Sequence, residues 1–66
     1  MININELKGR ITAKGLTQGE VADKLGMRAE TMSRKLKIGI FGTDEVEKMI
    51  DILDIENPVE IFFAKK

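Results

Sequence analysis

The sequence contains no cysteine and no histidine among its 66 residues. Without them the chain has no disulfide, no ordinary zinc site and no thiol or imidazole for catalysis. Long apolar runs are also lacking, because the longest, residues 61–64, is far short of the roughly 20 residues that span a membrane. The N-terminus lacks the basic and apolar regions of a signal peptide. We therefore expect a cytoplasmic protein with no membrane partner.

The length of the chain limits what it can build. A domain of about 60 residues buries only about 60% of the surface that its unfolded chain exposes. This excludes a Rossmann sheet, a barrel and a two-domain enzyme, and it predicts a single domain over residues 1–66. The groups left for catalysis are carboxylates, lysines and hydroxyls. We expect no enzyme activity, no cofactor and no metal site.

Charge is balanced over the whole chain but unevenly placed along it. Residues 1–37 hold eight basic and four acidic residues, a net charge of +4. Residues 38–66 hold three basic and seven acidic residues, a net charge of −4. The asymmetry indicates one surface suited to an anionic partner, although surface charges also segregate by chance.

Capping signals and apolar spacing predict an all-α fold of five short helices. Asn3 caps the first helix, and Gly15 ends it. The stretch from Thr17 to Glu20 is a complete capping box for a second helix, which ends at Gly26. The apolar residues expected on the inner faces of these two helices are Leu7, Ile11, Val21, Ala22 and Leu25.

Three further helices are predicted in the rest of the chain. The third runs from about Arg28 to Lys37 and lacks a good capping residue at its start. Thr43 is the expected cap of the fourth helix, and Pro58 is the expected first residue of the fifth. The core residues expected from this half are Met32, Leu36, Phe41, Val46, Ile50, Leu53 and Phe62.

The second and third helices carry the functional signal. A turn of about three or four residues joins them and contains Gly26, which is the arrangement of a helix-turn-helix over about residues 17–37. Ala22 is small enough for the third helix to cross close to it. Gly26 is suited to the positive φ that this turn requires.

The segment from Gly15 to Arg34 reads G-L-T-Q-x-E-V-A-x-K-L-G-M-x-x-x-T-M-S-R. With this signature the chain resembles the helix-turn-helix domain of phage Cro proteins and repressors, the lambda-repressor-like or xenobiotic-response-element class. The resemblance extends from about Leu7 to Phe62. It implies a compact bundle of about five short helices and a sequence-specific transcriptional regulator, a Cro-like repressor of a phage or prophage. Such a protein acts in the cytoplasm of the bacterial host, at the nucleoid when bound.

The resemblance also implies roles for single residues on double-stranded DNA. The residues that match base-facing positions in the major groove are Arg28, Ala29, Glu30 and Arg34. The residues expected to contact phosphate are Gln18, Ser33, Lys35 and Lys37. Arg34 can offer two donors to guanine O6 and N7, but it can also pair with Glu30 at i, i+4. Gln18 can equally be an ordinary residue at the start of a helix.

Three features depart from the family pattern. Lys35 stands where many members carry an apolar core residue. The loop at residues 38–42 is apolar where some relatives carry basic residues. The isoelectric point of about 6.2 is low for a DNA-binding domain.

A domain of this size contacts only a few base pairs, so we expect a homodimer on a palindromic operator. The half-sites of such an operator lie about one helical turn apart, roughly 34 Å. The expected dimer interface contains Ile40, Ile61 and Phe63, unless a small core merely leaves these side chains exposed. A dimer that covers a promoter represses by occlusion, and nothing in the sequence indicates a small-molecule ligand. The alternative is a protein-interaction module of the same fold, an antitoxin or antirepressor, which the acidic second half favours.

Overall fold

Five α-helices make up most of the chain in the computed structural model, which describes residues 2–63. In chain order they are α1 (Ile4–Ala13), α2 (Gln18–Lys24), α3 (Ala29–Ile38), α4 (Thr43–Ile52) and α5 (Pro58–Phe62). No strand occurs among residues 2–63, so the all-α prediction is confirmed. None of these five helices is long and apolar enough to cross a membrane.

The first two helices begin where their capping residues predict. The Asn3 side chain accepts a hydrogen bond from the Glu6 N–H at 3.2 Å. Thr17 Oγ1 accepts from the Glu20 N–H at 3.1 Å, and Glu20 Oε1 accepts from the Thr17 N–H at 2.9 Å. Each bond satisfies a backbone donor that the helix leaves unpaired, so both starts are encoded locally.

The fourth helix begins one residue away from the predicted cap. Gly42 is its N-cap, and Thr43, the predicted cap, is the first helical residue. The Glu45 carboxylate reaches back and accepts a hydrogen bond from the Gly42 N–H at 2.8 Å. This bond satisfies the first free donor of α4 without a side chain at the cap position.

The core lies where the inner faces of the five helices meet. Its most enclosed large side chains are Leu7, Val21, Met32, Met49 and Ile61. The other buried apolar residues are Ile11, Ala22, Leu25, Leu36, Leu53, Ile55 and Phe62. No polar or charged residue is buried among residues 2–63. The cohesion of the fold therefore comes from apolar burial, with polar contacts restricted to its surface.

The predicted inner stripe of α4, Val46, Ile50 and Leu53, packs against the core but lacks the most enclosed residue of the helix, Met49. Met49 is fully buried and Leu53 nearly so, whereas Val46 and Ile50 are only half-buried. All four side chains lie on one side of the helix, and the rotation of α4 against its neighbours decides which of them is enclosed. Phe41, predicted to be a core residue, is also half-buried and packs against the edge of the core.

Ile61 belongs to the core and not to the surface. Its side chain is 0% exposed, which contradicts its expected place at a dimer interface. Its carbonyl oxygen accepts a hydrogen bond from the Asn3 N–H at 2.6 Å, which fastens α5 to the beginning of α1. With Ile61 and Phe62 turned inward, Val59 and Phe63 are left on the outer side of α5.

Candidate nucleic-acid interface

The closest helix pairing among residues 2–63 is that of α2 with α3. The small side chain of Ala22 is buried, as are Val21 and Leu25 beside it and Met32 on α3. A larger residue at position 22 would separate the two helices, because protein interiors leave no spare volume for added methyl groups. The close packing holds α3 at a defined angle to α2.

Residues 25–28 form the turn between these two helices. Gly26 has a φ of +74°, as its place in the turn predicts. The Met27 N–H donates a hydrogen bond to the Ala22 carbonyl oxygen at 2.9 Å, and the Gly26 N–H donates to that of Asp23 at 3.1 Å. These two bonds satisfy carbonyl groups at the end of α2 and redirect the chain into α3.

The outer side of α3 carries a polar stripe. Glu30, Ser33, Arg34 and Lys37 recur at i, i+3, i+4 and i+7, and all four are exposed. The buried residues of this helix, Met32 and Leu36, lie on its opposite side. Seven of the eight residues predicted to contact DNA are exposed: Gln18, Arg28, Ala29, Glu30, Ser33, Arg34 and Lys37.

Arg34 is available to a partner. Within residues 2–63 no carboxylate lies within 4.0 Å of its guanidinium, so the i, i+4 pairing with Glu30 is not formed. Its five N–H donors form a rigid fork that suits the paired acceptors of a guanine edge or the oxygens of a phosphate. Arg34 is therefore the side chain of the stripe best suited to an anionic or acceptor-rich ligand.

Lys35 differs from the other predicted contacts because it is already engaged. Its Nζ donates to both Glu45 carboxylate oxygens, each at 2.8 Å, and the two side chains are 31% and 23% exposed. The hydrogen bond from Lys35 lowers the pKa of Glu45 below 4.5, although partial burial acts in the opposite direction. The Gly42 N–H and the charge of Lys48 lower that pKa further. The pair ties the end of α3 to the start of α4.

An apolar groove of about 260 Å³ opens beside the end of α3. Among residues 2–63 its lining contains no charged residue and consists of Ile2, Gly39, Ile40, Phe41, Thr43, Val46, Phe62 and Phe63. Ile40 and Phe63 are 66% and 62% exposed, so two of the three residues predicted at a dimer interface do lie together at the surface. An exposed apolar groove of this kind is typical of a protein–protein contact.

Within residues 2–63, three side-chain contacts between distant parts of the chain were not predicted from the sequence. They are the pair of Lys35 with Glu45, the ion pair of Lys14 with Asp54, and the hydrogen bond that Arg10 Nη2 donates to Asn57 Oδ1 at 3.5 Å. No cap or apolar period signals such pairs, because each joins side chains on different elements. The one available signal was the lysine at position 35, where the resemblance led us to expect an apolar residue.

In the described part of the chain, no group of three or more acidic residues is placed to hold a metal ion. In comparisons with known proteins, no family model, no curated protein and no solved structure matches the chain. The geometry of α2, α3 and the apolar groove is therefore the basis for a functional proposal.

Proposed function

We propose that this chain is a sequence-specific regulator that binds double-stranded DNA, with α2, the turn at Gly26 and α3 forming a helix-turn-helix. The observation that carries the proposal is the exposed stripe of α3, in which Arg34 has no ion-pair partner among the described residues. An α-helix fits the major groove of B-form DNA, where side chains on its outer side meet base edges.

The roles of the exposed residues follow from their chemistry. Arg34 donates two hydrogen bonds to guanine O6 and N7, and the methyl group of Ala29 contacts a thymine methyl. Glu30 accepts from cytosine N4, and Arg28 reads a further base edge at the start of the helix. Gln18, Ser33 and Lys37 contact phosphate, which fixes the register of the protein on the duplex without reading sequence.

Dimerisation supplies the remaining specificity. In this proposal two chains meet through the apolar groove, with Ile40 and Phe63 of each chain at the contact. The part of the lining that the structure describes carries no charged residue, so no like charges from residues 2–63 face each other when identical surfaces meet. A two-fold dimer reads a palindromic operator, and one that overlaps a promoter blocks transcription, as Cro-like phage repressors do.

Selection from a random pool of double-stranded DNA tests this function. At about 100 mM salt, where non-specific binding is weakened, we expect enrichment of a palindrome with half-sites roughly one helical turn apart. Lys8→Ala serves as a control for the loss of a positive charge outside α3. It removes one charge from the exposed surface of α1 and should leave the enriched sequence unchanged. A pool that stays unenriched with folded protein would contradict the proposal.

A protein-interaction module is the second candidate, and the surface of α4 favours it. The acidic residues Glu47, Asp51, Asp54 and Glu56 surround a shallow depression beside Ile50 and Ile55. Such a surface is complementary to a basic segment of another protein. Neutralisation of Arg28 and Arg34 separates the two functions, because it abolishes DNA binding and leaves a partner on α4 unaffected.

A further inference from the structure

We infer that Lys35 is a positioning residue, held by Glu45 to fix the end of α3 against α4, and does not contact phosphate. The inference rests on the proposed function, since it assigns a role within the same DNA-binding surface. It also separates Lys35 from Lys37, its neighbour two positions along α3, which is exposed and has no ion-pair partner within residues 2–63.

The backbone of Lys35 closes α3. Its carbonyl oxygen accepts from the Gly39 N–H at 2.7 Å and from the Ile40 N–H at 3.3 Å. Gly39 has a φ of +80°, the left-handed conformation with which many helices end. Lys35 therefore stands at the last turn of α3, where the chain leaves the helix for the loop at residues 39–42.

The side chain of Lys35 crosses to the beginning of α4. There the Glu45 carboxylate accepts three hydrogen bonds, two from Nζ of Lys35 and one from the Gly42 N–H. It also lies in the first turn of α4, at the positive end of the helix dipole. Because α4 approaches the other helices less closely along its backbone than α2 approaches α3, such side-chain links matter for its placement. One carboxylate thus joins the end of α3, the loop and the start of α4.

Glu45 and a DNA phosphate would compete for the same ammonium group of Lys35. For Lys35 to neutralise a phosphate, its ammonium must leave a two-oxygen contact in a partly desolvated setting, where charge-assisted hydrogen bonds are strong. A lysine that is exposed and unpaired, such as Lys37, gives up only water. The phosphate contact therefore falls to Lys37, and Lys35 keeps α3 at the angle that base contact requires.

The slope of log K against log salt distinguishes a phosphate contact from a positioning contact. Each neutralised phosphate contributes about −0.9 to this slope on duplex DNA. We expect Lys37→Met to make the slope shallower by about 0.9 for each bound subunit and Lys35→Met to leave it unchanged, measured on a labelled random-sequence duplex between about 50 and 200 mM salt. Equal shallowing by both substitutions would overturn the inference.

Positioning has a second signature, which loss of stability alone does not produce. At a temperature where every variant is folded, Lys35→Met should lower the ratio of affinity for the selected operator to affinity for random duplex by roughly 3- to 10-fold. Lys35→Arg should restore the ratio, because a guanidinium can also bridge both oxygens of Glu45. An unchanged ratio in Lys35→Met would count against a positioning role.

A double-mutant cycle tests the pair without DNA. Glu45→Gln keeps an oxygen for the Gly42 N–H and removes the charge that holds Lys35. We expect each single substitution to raise the unfolding equilibrium constant roughly 3- to 10-fold, and the double substitution to add little more. Additive effects would overturn the inference. If the wild-type chain bound no duplex, the proposed function would fail and the positioning role with it, while the cycle would still measure the pair.

Discussion

Gly9 and Gly26 both have open space where a Cβ atom would lie, yet only Gly26 has a positive φ, at +74°. Gly9 lies inside α1, where a glycine adds only backbone freedom that must be lost on folding. Gly26 turns the chain from α2 into α3 in a conformation that other L-residues resist. Identical substitutions at the two sites therefore isolate backbone conformation from packing.

Gly26→Ala and Gly9→Ala should change stability in opposite directions. We expect Gly26→Ala to lower the free energy of unfolding by about 1–2 kcal/mol, because alanine must enter the left-handed region. Gly9→Ala should raise it by about 0.5–1 kcal/mol, because alanine restricts the unfolded chain and suits a helix. Urea unfolding followed by far-ultraviolet circular dichroism measures both, since the chain has no tryptophan or tyrosine. A stabilised Gly26→Ala variant would show that the turn does not need glycine.

The helix boundaries could largely be predicted because their signals are local. Thr17 and Glu20 cap α2 within three residues of each other, and Pro58 marks the first residue of α5 directly. The predicted cap of α4 is wrong by one residue, although the contacts at this helix start are also local. Thr43 has a favoured capping side chain but is the first helical residue, and the Glu45 carboxylate accepts a hydrogen bond from the N–H of Gly42, the N-cap residue.

Burial could be predicted less well than helix position. One side of α4 carries Val46, Met49 and Ile50. The angle at which the helix docks on the core determines that Met49 is the buried one. Ile61 lies in the short helix α5 and Phe63 directly follows that helix, and the sequence alone does not say which of the two side chains faces inward. For the candidate site, the exposed residues of α3 were predicted correctly as surface, whereas the engagement of Lys35 depended on a contact with another helix.

Removal of the Arg34 guanidinium should relax specificity at one base pair of each half-site. We expect Arg34→Ala to lower affinity for the selected operator by about 1–3 kcal/mol for each half-site, with little change when the matching guanines are also replaced. Alanine is a good helix former, so α3 should remain intact. Binding of both proteins to a set of operators with single substitutions provides the measurement. A uniform loss across all operators would identify Arg34 as a phosphate contact.

Ile40 and Ile38 provide a matched pair for the dimer contact. Both side chains are exposed to a similar degree, 66% and 60%, but only Ile40 lines the apolar groove. We expect Ile40→Ser to raise the dimer dissociation constant on the order of 10- to 100-fold, because each of two copies loses an apolar contact. Ile38→Ser should have little effect. Sedimentation equilibrium measures both constants, and equal effects would exclude the groove as the interface.

Asp54 is the one non-glycine residue with positive φ among residues 2–63, at 50°. It ends the turn after α4, where its carboxylate pairs with Lys14. Asp54→Asn should leave stability within about 0.5 kcal/mol, because asparagine tolerates this conformation and an exposed ion pair contributes little. Asp54→Val should cost about 1–2 kcal/mol, because a β-branched side chain is strained there. Thermal unfolding of the two variants provides the measurement. Equal losses of stability in both would show that the missing ion pair with Lys14, and not backbone strain, causes the loss.

The Lys35–Glu45 pair should make stability depend on pH below neutrality. Lys35 on α3, and the Gly42 N–H and Lys48 on α4, hold the folded-state pKa of Glu45 below its ordinary value of 4.5. The unfolded chain therefore binds the proton first as the pH falls, so the contribution of Glu45 is complete above about pH 4.5 and is lost as the pH falls through the lowered pKa.

Other carboxylates also titrate in this range, which makes the difference between wild type and Glu45→Gln the informative quantity. We expect this difference in the free energy of unfolding to be largest near pH 7 and to shrink towards about pH 3. A difference that stayed constant over this range would show that the charge of Glu45 does not stabilise the fold.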